Sequence, residues 1–202
     1  MKLIPIKEPF PHLLVEDTYS KEELFYIWKE LDFLTAKNIL NPPHLTGSAA
    51  KDGKYLKNNN AVFLDNFYTN RDSSYILNLN ARIFDEKILN CYSKLSFGYN
   101  SIKKINHDRT IISYYQNGDY YNSHSDASLH TAITWFYKEP KKYTGGELIF
   151  SEYDYLINSK NNLTILFPSF VLHKVQKVLI EESAFFTGNG RYSMSQFLYL
   201  IP

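Results

Sequence analysis

The sequence predicts a mostly β-stranded domain, either a barrel or a double-sheet jelly roll, with helices packed on its outside. The second half of the chain contains short runs of β-branched and aromatic residues, and the first half contains two stretches with apolar residues at helical spacing. Turn signals such as Asn117-Gly118, Pro140 and Gly145-Gly146 separate the runs, and Asn117-Gly118 is in addition a strong signal for a β-hairpin. The predicted strands of the second half are Thr110–Tyr115, Thr131–Tyr137, Glu147–Phe150, Leu163–Phe167, Val171–Val178 and Tyr192–Ile201.

Length and composition fit one globular domain. At 202 residues, with 44% hydrophobic and 21% charged side chains, the chain is long enough to bury a sizeable core. We expect a single domain over residues 1–202, in which residues 1–100 form a helical and irregular support and residues 101–202 form the β core. The formal net charge of +1 gives no electrostatic reason to expect nucleic acid or an acidic membrane surface as a partner.

The cysteine content and the N-terminus narrow the class of protein further. The single cysteine, Cys91, excludes an intrachain disulfide and a cysteine-rich zinc site. The first residues contain too many prolines and charges for a signal-peptide core, and no apolar run approaches membrane-spanning length. These observations predict a cytoplasmic protein without a membrane segment. They do not predict an oligomeric state.

The first elements of the chain are a short strand and a helix. The strand is expected at His12–Glu16, and Ser20 is a favourable N-cap for a helix that runs to about Phe33. Apolar residues at helical spacing predict that this helix packs one face on a sheet. The residues with that spacing are Leu24, Ile27, Trp28 and Leu31.

The segment 35–60 contains mainly loop and turn signals. A segment of this length without regular structure is often functional, so we expect it either to close over a pocket as a lid or to form a mobile surface loop. Beyond it, Ala61–Asp65 is a candidate strand. Ser73 or Ser74 begins a second predicted helix, in which apolar residues recur at helical intervals as far as Leu89.

The stretch Tyr114–Asp126 contains the residues with the clearest potential for chemistry. His124 and Asp126 are two residues apart, so on a strand both side chains point to the same face. Two such ligands need a third to hold a metal, and the candidates are His173 and, less favourably, His130. We expect His130 instead to be a surface residue at the start of the next strand. Two histidines and one carboxylate leave open coordination positions, which suits non-haem Fe(II) oxygen chemistry.

An ordered set of motifs extends this site along the chain. Residues 115–126 read Y-x-x-G-x-x-Y-x-x-H-x-D, and after them come Gly145-Gly146-Glu147-Leu148, Phe167-Pro168, His173 and Arg191-Tyr192-Ser193. In this order the motifs resemble the prolyl-4-hydroxylase-like branch of the Fe(II)/2-oxoglutarate-dependent dioxygenases, over residues 109–200. The resemblance implies a double-stranded β-helix, which is a jelly-roll-like barrel, with the N-terminal helices packed outside.

The resemblance also implies a role for each matching residue. His124, Asp126 and His173 match the catalytic iron ligands of the family. Arg191 matches the basic residue that binds the distal carboxylate of 2-oxoglutarate, and a planar, permanently charged guanidinium suits that group. Ser193 follows on the same face of the predicted strand and is expected to add a hydroxyl donor to the cofactor.

Two tyrosines are assigned in the same way. Tyr115 matches a tyrosine that also contacts 2-oxoglutarate, and Tyr121 matches one that faces the substrate. Two features depart from the family pattern. Phe136 stands where some members have a further cofactor-binding tyrosine, and the loop Ile180–Gly190 is longer than usual.

The activity implied by the resemblance uses Fe(II), 2-oxoglutarate and dioxygen to hydroxylate a C–H bond, with succinate and CO2 as co-products and with ascorbate supporting turnover. A prolyl residue of a peptide or protein is the substrate that the resemblance favours. Free amino acids and other small molecules are alternatives. The alternative from another functional class is a binding module that keeps the metal and the jelly-roll fold without catalysis.

Overall fold

The computed structural model describes residues 1–185 and 187–202. The strands in this part are β1 (Lys2–Ile6), β2 (His12–Glu16), β3 (Ala50–Lys51), β4 (Lys54–Tyr55), β5 (Asn60–Phe63), β6 (His107–Tyr115), β7 (Tyr121–His124), β8 (His130–Phe136), β9 (Tyr143–Gly145), β10 (Leu148–Phe150), β11 (Tyr155–Ile157), β12 (Thr164–Pro168), β13 (His173–Val175), β14 (Val178–Ile180) and β15 (Arg191–Tyr199). The α-helices are α1 (Lys21–Ala36), α2 (Leu64–Phe67), α3 (Tyr75–Leu79) and α4 (Glu86–Ser93). Short 3-10 helices occupy Pro43–Leu45, Arg71–Ser73, Asn80–Phe84, Phe97–Lys104 and Glu182–Ala184.

Two antiparallel sheets form the body of the fold. The larger has seven strands in the order β1-β2-β12-β8-β15-β6-β5, and the smaller has four in the order β11-β10-β13-β7. Side chains from both sheets meet in one buried cluster that includes Trp135, Phe150 and Phe167. The two sheets therefore face each other, which confirms the predicted mostly β, double-sheet architecture. Strands β9 and β14 form a separate pair, as do β3 and β4.

The helices pack against the outer face of the large sheet. Ile27 and Leu31 of α1 lie in a buried cluster with Ile112 of β6 and Met194 of β15. A third cluster joins α4 to β2 and β12. Strands β1, β2 and β5 precede residue 100 and belong to the large sheet, so the N-terminal half supplies strands as well as helical support. The single domain with a division at residue 100 stays a prediction.

Alternation along β6 and β15 separates this helix-facing core from the interior of the barrel. Tyr114 and Tyr192 are buried on the helix side, whereas Tyr115, Ser113 and Ser193 line a cavity on the other side. Successive side chains of a strand point to opposite faces, so one strand can supply both core and site. The two strands pair in continuous register from Arg191 opposite Tyr115 to Tyr199 opposite His107.

The first predicted helix is confirmed, and its start follows from local chemistry. Ser20 accepts the backbone N–H of Glu23 at 3.2 Å, and the Glu23 carboxylate accepts the backbone N–H of Ser20 at 2.7 Å. This reciprocal capping box satisfies two of the unpaired donors at a helix N-terminus.

The prediction of one second helix is wrong, because α3 and α4 are separated by the 3-10 helix Asn80–Phe84. The Asn80 side chain donates to the Thr110 hydroxyl of β6 at 2.5 Å. Asp85 accepts the backbone N–H of Lys87 at 2.8 Å and so begins a new helix at α4. The contact with a distant strand interrupts a pattern whose apolar spacing alone favours a continuous helix.

Two strand predictions also need correction. Asn117-Gly118 forms a turn, with Gly118 at φ +86°, but β6 and β7 on either side of it belong to different sheets, so no hairpin forms there. The predicted strand Val171–Val178 is divided into β13 and β14. The predicted long loop Ile180–Gly190 contains the 3-10 helix Glu182–Ala184 and also includes Phe186, which lies outside the described residues. Among the helices of the described ranges, none has the length and apolar character needed to cross a membrane.

Candidate metal centre

His124, Asp126 and His173 come together at one edge of the smaller sheet. His124 ends β7 and His173 begins β13, and the two residues pair directly across the antiparallel ladder. Asp126 lies beyond the end of β7, so the prediction that it shares a strand with His124 is wrong. Its position depends instead on its backbone N–H, which donates to the carbonyl of Ser169 at 3.0 Å.

The three side chains present their ligand atoms to one small volume. Asp126 Oδ1 lies 3.8 Å from His124 Nε2, and Asp126 Oδ2 lies 3.6 Å from His173 Nε2. One ligand atom from each residue lies within 4.8 Å of the other two. Among the His, Cys, Asp and Glu residues that the structure describes, His124, Asp126 and His173 form the one group whose ligand atoms lie close enough together to hold a metal ion.

Backbone carbonyls fix the orientation of both imidazole rings. The Nδ1–H of His124 donates to the carbonyl of Asn122 at 2.8 Å, and that of His173 donates to the carbonyl of Val171 at 2.9 Å. With Nδ1 protonated, the neutral ring has its lone pair on Nε2, which faces Asp126 in both cases. Such hydrogen bonds set the tautomer and ring plane of metal-ligating histidines.

A hydroxyl network supports the carboxylate. Thr131 donates its hydroxyl to Asp126 Oδ2 at 2.7 Å and lies 2.8 Å from the hydroxyl of Ser169, which in turn lies 2.7 Å from that of Ser128. Thr131 and Ser169 are fully buried. Outer hydrogen bonds of this kind hold a ligating carboxylate in one orientation.

The electrostatics of the site favour a neutral imidazole at His124. Burial, followed by the neighbouring His173, lowers the pKa of His124 to about 3, although its bond to Asn122 acts in the opposite direction. At pH 7 the ring is therefore unprotonated and its Nε2 lone pair is available to a cation. Two neutral nitrogens and one carboxylate are a donor set that fits Fe(II) and leaves part of its charge uncompensated.

His130 does not join this group. Its ring is 3% exposed and bonds to the Tyr92 hydroxyl at 3.0 Å through Nδ1 and to the Ser101 hydroxyl at 2.8 Å through Nε2. Both nitrogens are thus occupied in the helix-facing core. His130 begins β8 as predicted, but it is a buried structural histidine and not a surface residue.

The triad opens into a cavity of about 530 Å³ between the two sheets. Arg191, Ser193, Tyr115 and Tyr121, which were predicted from the sequence, all line this cavity. The cavity therefore brings together every residue that the sequence assigned to metal, cofactor or substrate.

Arg191 is a buried cation that forms no salt bridge with the described residues. The residue is 1% exposed, and its guanidinium carbon lies 4.7 Å from the ring centroid of Tyr115. Its Nη1 donates to the Ser193 hydroxyl at 3.4 Å, whereas its Nε has no hydrogen-bond partner among the described residues. No described acidic side chain forms a salt bridge with it. Burial lowers the pKa of the guanidinium, whereas Tyr115, Tyr143 and the more distant Glu147 act in the opposite direction. A buried charge left in this state fits a carboxylate ligand.

Gly146 makes room for the arginine. It has φ +74°, and a Cβ placed on it would lie 2.7 Å from Arg191 Cδ and 2.9 Å from Val178 Cγ2. A side chain there would displace the guanidinium. Glycine is therefore required at position 146 for two reasons: the turn needs a positive φ, as predicted, and the Arg191 side chain leaves no room for a Cβ.

Tyr121 connects the metal site to the segment 35–60. Its ring stacks on that of His124 with centroids 3.6 Å apart, and its hydroxyl accepts the backbone N–H of Ala49 at 3.2 Å. Residues of the segment line the cavity. They are Leu45, Thr46, Gly47, Ala49 and Lys57.

Sequence reasoning missed Lys57, Tyr143 and the supporting Thr131. The Tyr143 hydroxyl is buried without a partner among the described residues, and Arg191 acts to lower its pKa while burial, the larger effect, raises it. Phe136, which stands where some family members have a tyrosine, lies in the helix-facing cluster instead of the cavity. The sequence signal that could have identified Tyr143 is its position two residues before the Gly145-Gly146 motif.

No protein-family model matches the sequence, and no curated protein matches it. Solved structures do match. A prolyl-4-hydroxylase of Pseudomonas putida matches with a TM-score of 0.64 at 13% identity, over 95% of this chain and 93% of that chain. An oxidoreductase of the 2OG-Fe(II) oxygenase family from Burkholderia pseudomallei matches with a TM-score of 0.59 at 13% identity, over 94% and 85% of the two chains.

The viral collagen prolyl hydroxylase of Paramecium Bursaria Chlorella virus-1, in its complex with 2-oxoglutarate, matches with a TM-score of 0.54 at 13% identity, over 93% of this chain and 94% of that chain. These similarities extend over nearly the whole chain and confirm the predicted fold class. The protein therefore has the jelly-roll fold of the prolyl-4-hydroxylases and other 2-oxoglutarate- and Fe(II)-dependent oxygenases.

Proposed function

We propose that the protein is an Fe(II)- and 2-oxoglutarate-dependent dioxygenase that hydroxylates a C–H bond. The observation that carries this proposal is the presence, in one cavity, of a converging His-Asp-His set and a buried arginine that forms no salt bridge with the described residues. A structural metal site requires the first feature and not the second. The buried cation adds a reason for a dicarboxylate cosubstrate beside the metal.

In this proposal His124, Asp126 and His173 hold the iron, and Arg191 binds the distal carboxylate of 2-oxoglutarate with Ser193 and Tyr115. Iron held by these residues would supply activation of dioxygen, and the reaction would convert 2-oxoglutarate to succinate and CO2 while a C–H bond of the substrate is hydroxylated. The chain itself supplies fixed ligand orientation and a cavity walled by two sheets.

The charges of the chain suit this assignment. The triad contributes one carboxylate, that of Asp126, beside a His124 ring that is neutral at pH 7, and Arg191 carries one positive charge in a buried position. An incoming dicarboxylate would place one carboxylate on the guanidinium and leave the other for the metal. Such a ligand would compensate the charge of Arg191 and the remaining charge of a bound metal.

The substrate we propose is a prolyl residue of a peptide or protein, and the whole chain acts as one catalytic domain with ascorbate supporting turnover. Support for the substrate comes from the motifs and from matching structures that are prolyl hydroxylases, among them those of Pseudomonas putida and of the Chlorella virus. Free amino acids and other small molecules would use the same iron chemistry.

The test is succinate release by purified protein supplied with Fe(II), ascorbate and 2-oxoglutarate, with and without proline-containing peptides. We expect His124→Ala to abolish release and to remove the visible absorption band of the anaerobic Fe(II)–2-oxoglutarate chelate. His107→Ala is the matched control, because His107 is exposed and lies outside the cavity. Release that persists in His124→Ala refutes the metal assignment. Binding of Fe(II) and 2-oxoglutarate without turnover on peptides, amino acids or other small molecules favours the non-catalytic binding module.

A further inference from the structure

Lys57 is a second buried cation of the cavity, and none of the assigned roles uses it. The residue is 5% exposed and lines the cavity. Its Nζ lies 5.6 Å from the ring centroid of Tyr121, the tyrosine whose other contacts are the His124 ring and the backbone of Ala49. Lys57 therefore stands at the junction of the metal site and the segment 35–60.

Backbone pairing fixes this position. Asn58 donates its N–H to the carbonyl of Tyr120 at 3.0 Å, and Asn122 donates its N–H to the carbonyl of Leu56 at 2.8 Å. Lys57 itself forms an isolated β-bridge with Tyr121. The chain thus holds the residue on the edge of β7, beside the metal ligands, instead of leaving it on a free loop.

Lys57 has no anionic partner in the described part of the chain. No hydrogen bond or salt bridge of its ammonium group is found there, and Asp126, the acidic residue that lines the cavity, belongs to the metal triad. Burial lowers the pKa of Lys57 to about 8, which leaves the group mostly protonated at pH 7. An ammonium group in this environment is destabilising unless a ligand compensates it.

The charge of the whole cavity also favours an anionic ligand. Three cationic side chains, Lys57, Arg109 and Arg191, line it against one carboxylate. Arg109 has the Asn66 side chain as a hydrogen-bond partner at 3.1 Å and lies over the Phe63 ring. A cavity lined mainly by one sign of charge concentrates ligands of the opposite sign.

Arg191 and Lys57 contact different tyrosines, so one dicarboxylate bound to the metal and Arg191 leaves Lys57 without its counter-charge. Arg191 lies over Tyr115, whereas Lys57 lies over Tyr121. The residue matched to substrate contact by the sequence motifs is Tyr121. The unpaired ammonium group therefore lies on the side of the cavity formed by Tyr121, the His124 ring and the segment 35–60, away from the Tyr115 side where Arg191 lies.

We propose that Lys57 binds a carboxylate group of the primary substrate, so that the enzyme selects anionic substrates. This inference rests on the proposed function, because it assumes that 2-oxoglutarate occupies Arg191. The carboxylate has two possible sources: the α-carboxylate of a free amino acid, or an acidic side chain beside the target residue of a peptide.

The test measures binding to protein loaded with Mn(II) and 2-oxoglutarate, so that Arg191 is occupied and no turnover occurs. Three pairs of probes differ only in carboxylate against amide. They are acetate and acetamide, L-proline and L-prolinamide, and a proline peptide with a neighbouring glutamate and its glutamine counterpart. We expect at least one carboxylate to bind about tenfold more tightly than its amide, the difference that one charge-assisted hydrogen bond provides.

Lys57→Met should remove this preference, and Lys57→Arg, which keeps the charge, should retain it. Lys51→Met is the matched control, because Lys51 is exposed on β3 and does not line the cavity. A preference confined to L-proline identifies a free amino acid, and one confined to the glutamate peptide identifies an acidic peptide. The proposal is overturned if no pair shows a preference, if the preference survives in Lys57→Met, or if that variant weakens 2-oxoglutarate binding instead.

Succinate release separates this inference from the proposed function. Release by the wild-type protein without any carboxylate preference refutes the role of Lys57 alone. A carboxylate preference without release on any substrate refutes the enzymatic proposal and keeps Lys57 as the anion site of a binding module.

Discussion

Replacing Arg191 with methionine should make the ligand-free protein more stable while it weakens 2-oxoglutarate binding. The guanidinium is 1% exposed, lacks an acidic partner among the described residues, and has an Nε without a hydrogen bond. Methionine retains much of the side-chain volume and removes the charge. The two effects have opposite signs, which distinguishes a ligand-binding charge from a structural one.

The magnitudes follow from the contacts. An uncompensated buried charge is unfavourable by several kcal/mol, and the contact with the Tyr115 ring returns at most about 2 kcal/mol, so we expect a net rise in stability of about 1–3 kcal/mol. Two charge-assisted hydrogen bonds to a carboxylate contribute about 3 kcal/mol or more, which corresponds to at least a hundredfold change in Kd.

Chemical denaturation of the metal-free protein measures the first effect, and calorimetric titration of 2-oxoglutarate into the Mn(II)-loaded protein measures the second. Arg109→Met is the control, because Arg109 lines the same cavity but bonds to the Asn66 side chain. A less stable Arg191→Met variant with unchanged affinity for 2-oxoglutarate would show that the arginine is structural and would refute the reasoning.

Two further changes test neighbouring features. Gly146→Ala should weaken 2-oxoglutarate binding about tenfold, because the added Cβ displaces Arg191. Gly53→Ala is the control and should leave the affinity unchanged, because Gly53 has a similar φ of +72° but nothing lies within 4 Å of an added Cβ. If calorimetric titration shows equal effects for both variants, displacement of Arg191 is excluded. Burial raises the pKa of Asp119 from 3.8 to about 6. Because the folded state then binds the proton more tightly than the unfolded state, this carboxyl stabilises the fold below pH 4 and loses that contribution as the pH rises to 6. Between pH 4 and pH 6 the free energy of unfolding of the wild type should fall by about 1 kcal/mol because of this carboxyl, a figure reduced for solvent screening, and this fall should be absent from Asp119→Asn. Parallel plots of unfolding free energy against pH for the two proteins would contradict the assignment.

The parts of the fold that depend on local chemistry were predictable from the sequence. The capping box at Ser20 and the apolar spacing of α1 are properties of adjacent residues, so the helix was predicted to within a few positions. The break between α3 and α4 depends on Asn80 reaching Thr110, which lies on a strand thirty residues further along the chain. No local pattern contains that information.

The candidate site likewise contains residues that sequence motifs predict and one residue whose position depends on long-range pairing. The spacing of the motifs brought His124, Asp126, His173 and Arg191 to attention, and the structure places them in one cavity. Lys57 escaped notice because it lies among loop signals without periodicity, and its position is set by pairing with Tyr121. The long-range ladder, and not the residue type, makes that lysine a candidate for function.

The segment 35–60 is attached to the barrel through main-chain atoms. Hydrogen bonds join Leu56 and Asn58 to the edge of β7, and Asn41 pairs with Ala61 at the other end of the loop. Peptide groups are the same whichever side chains they carry, so substitutions within the loop leave its anchorage intact. Under the proposed function, substrate preference is thereby separable from iron chemistry: new specificities can arise, or be engineered, by exchanging a handful of cavity-facing side chains on an unchanged barrel.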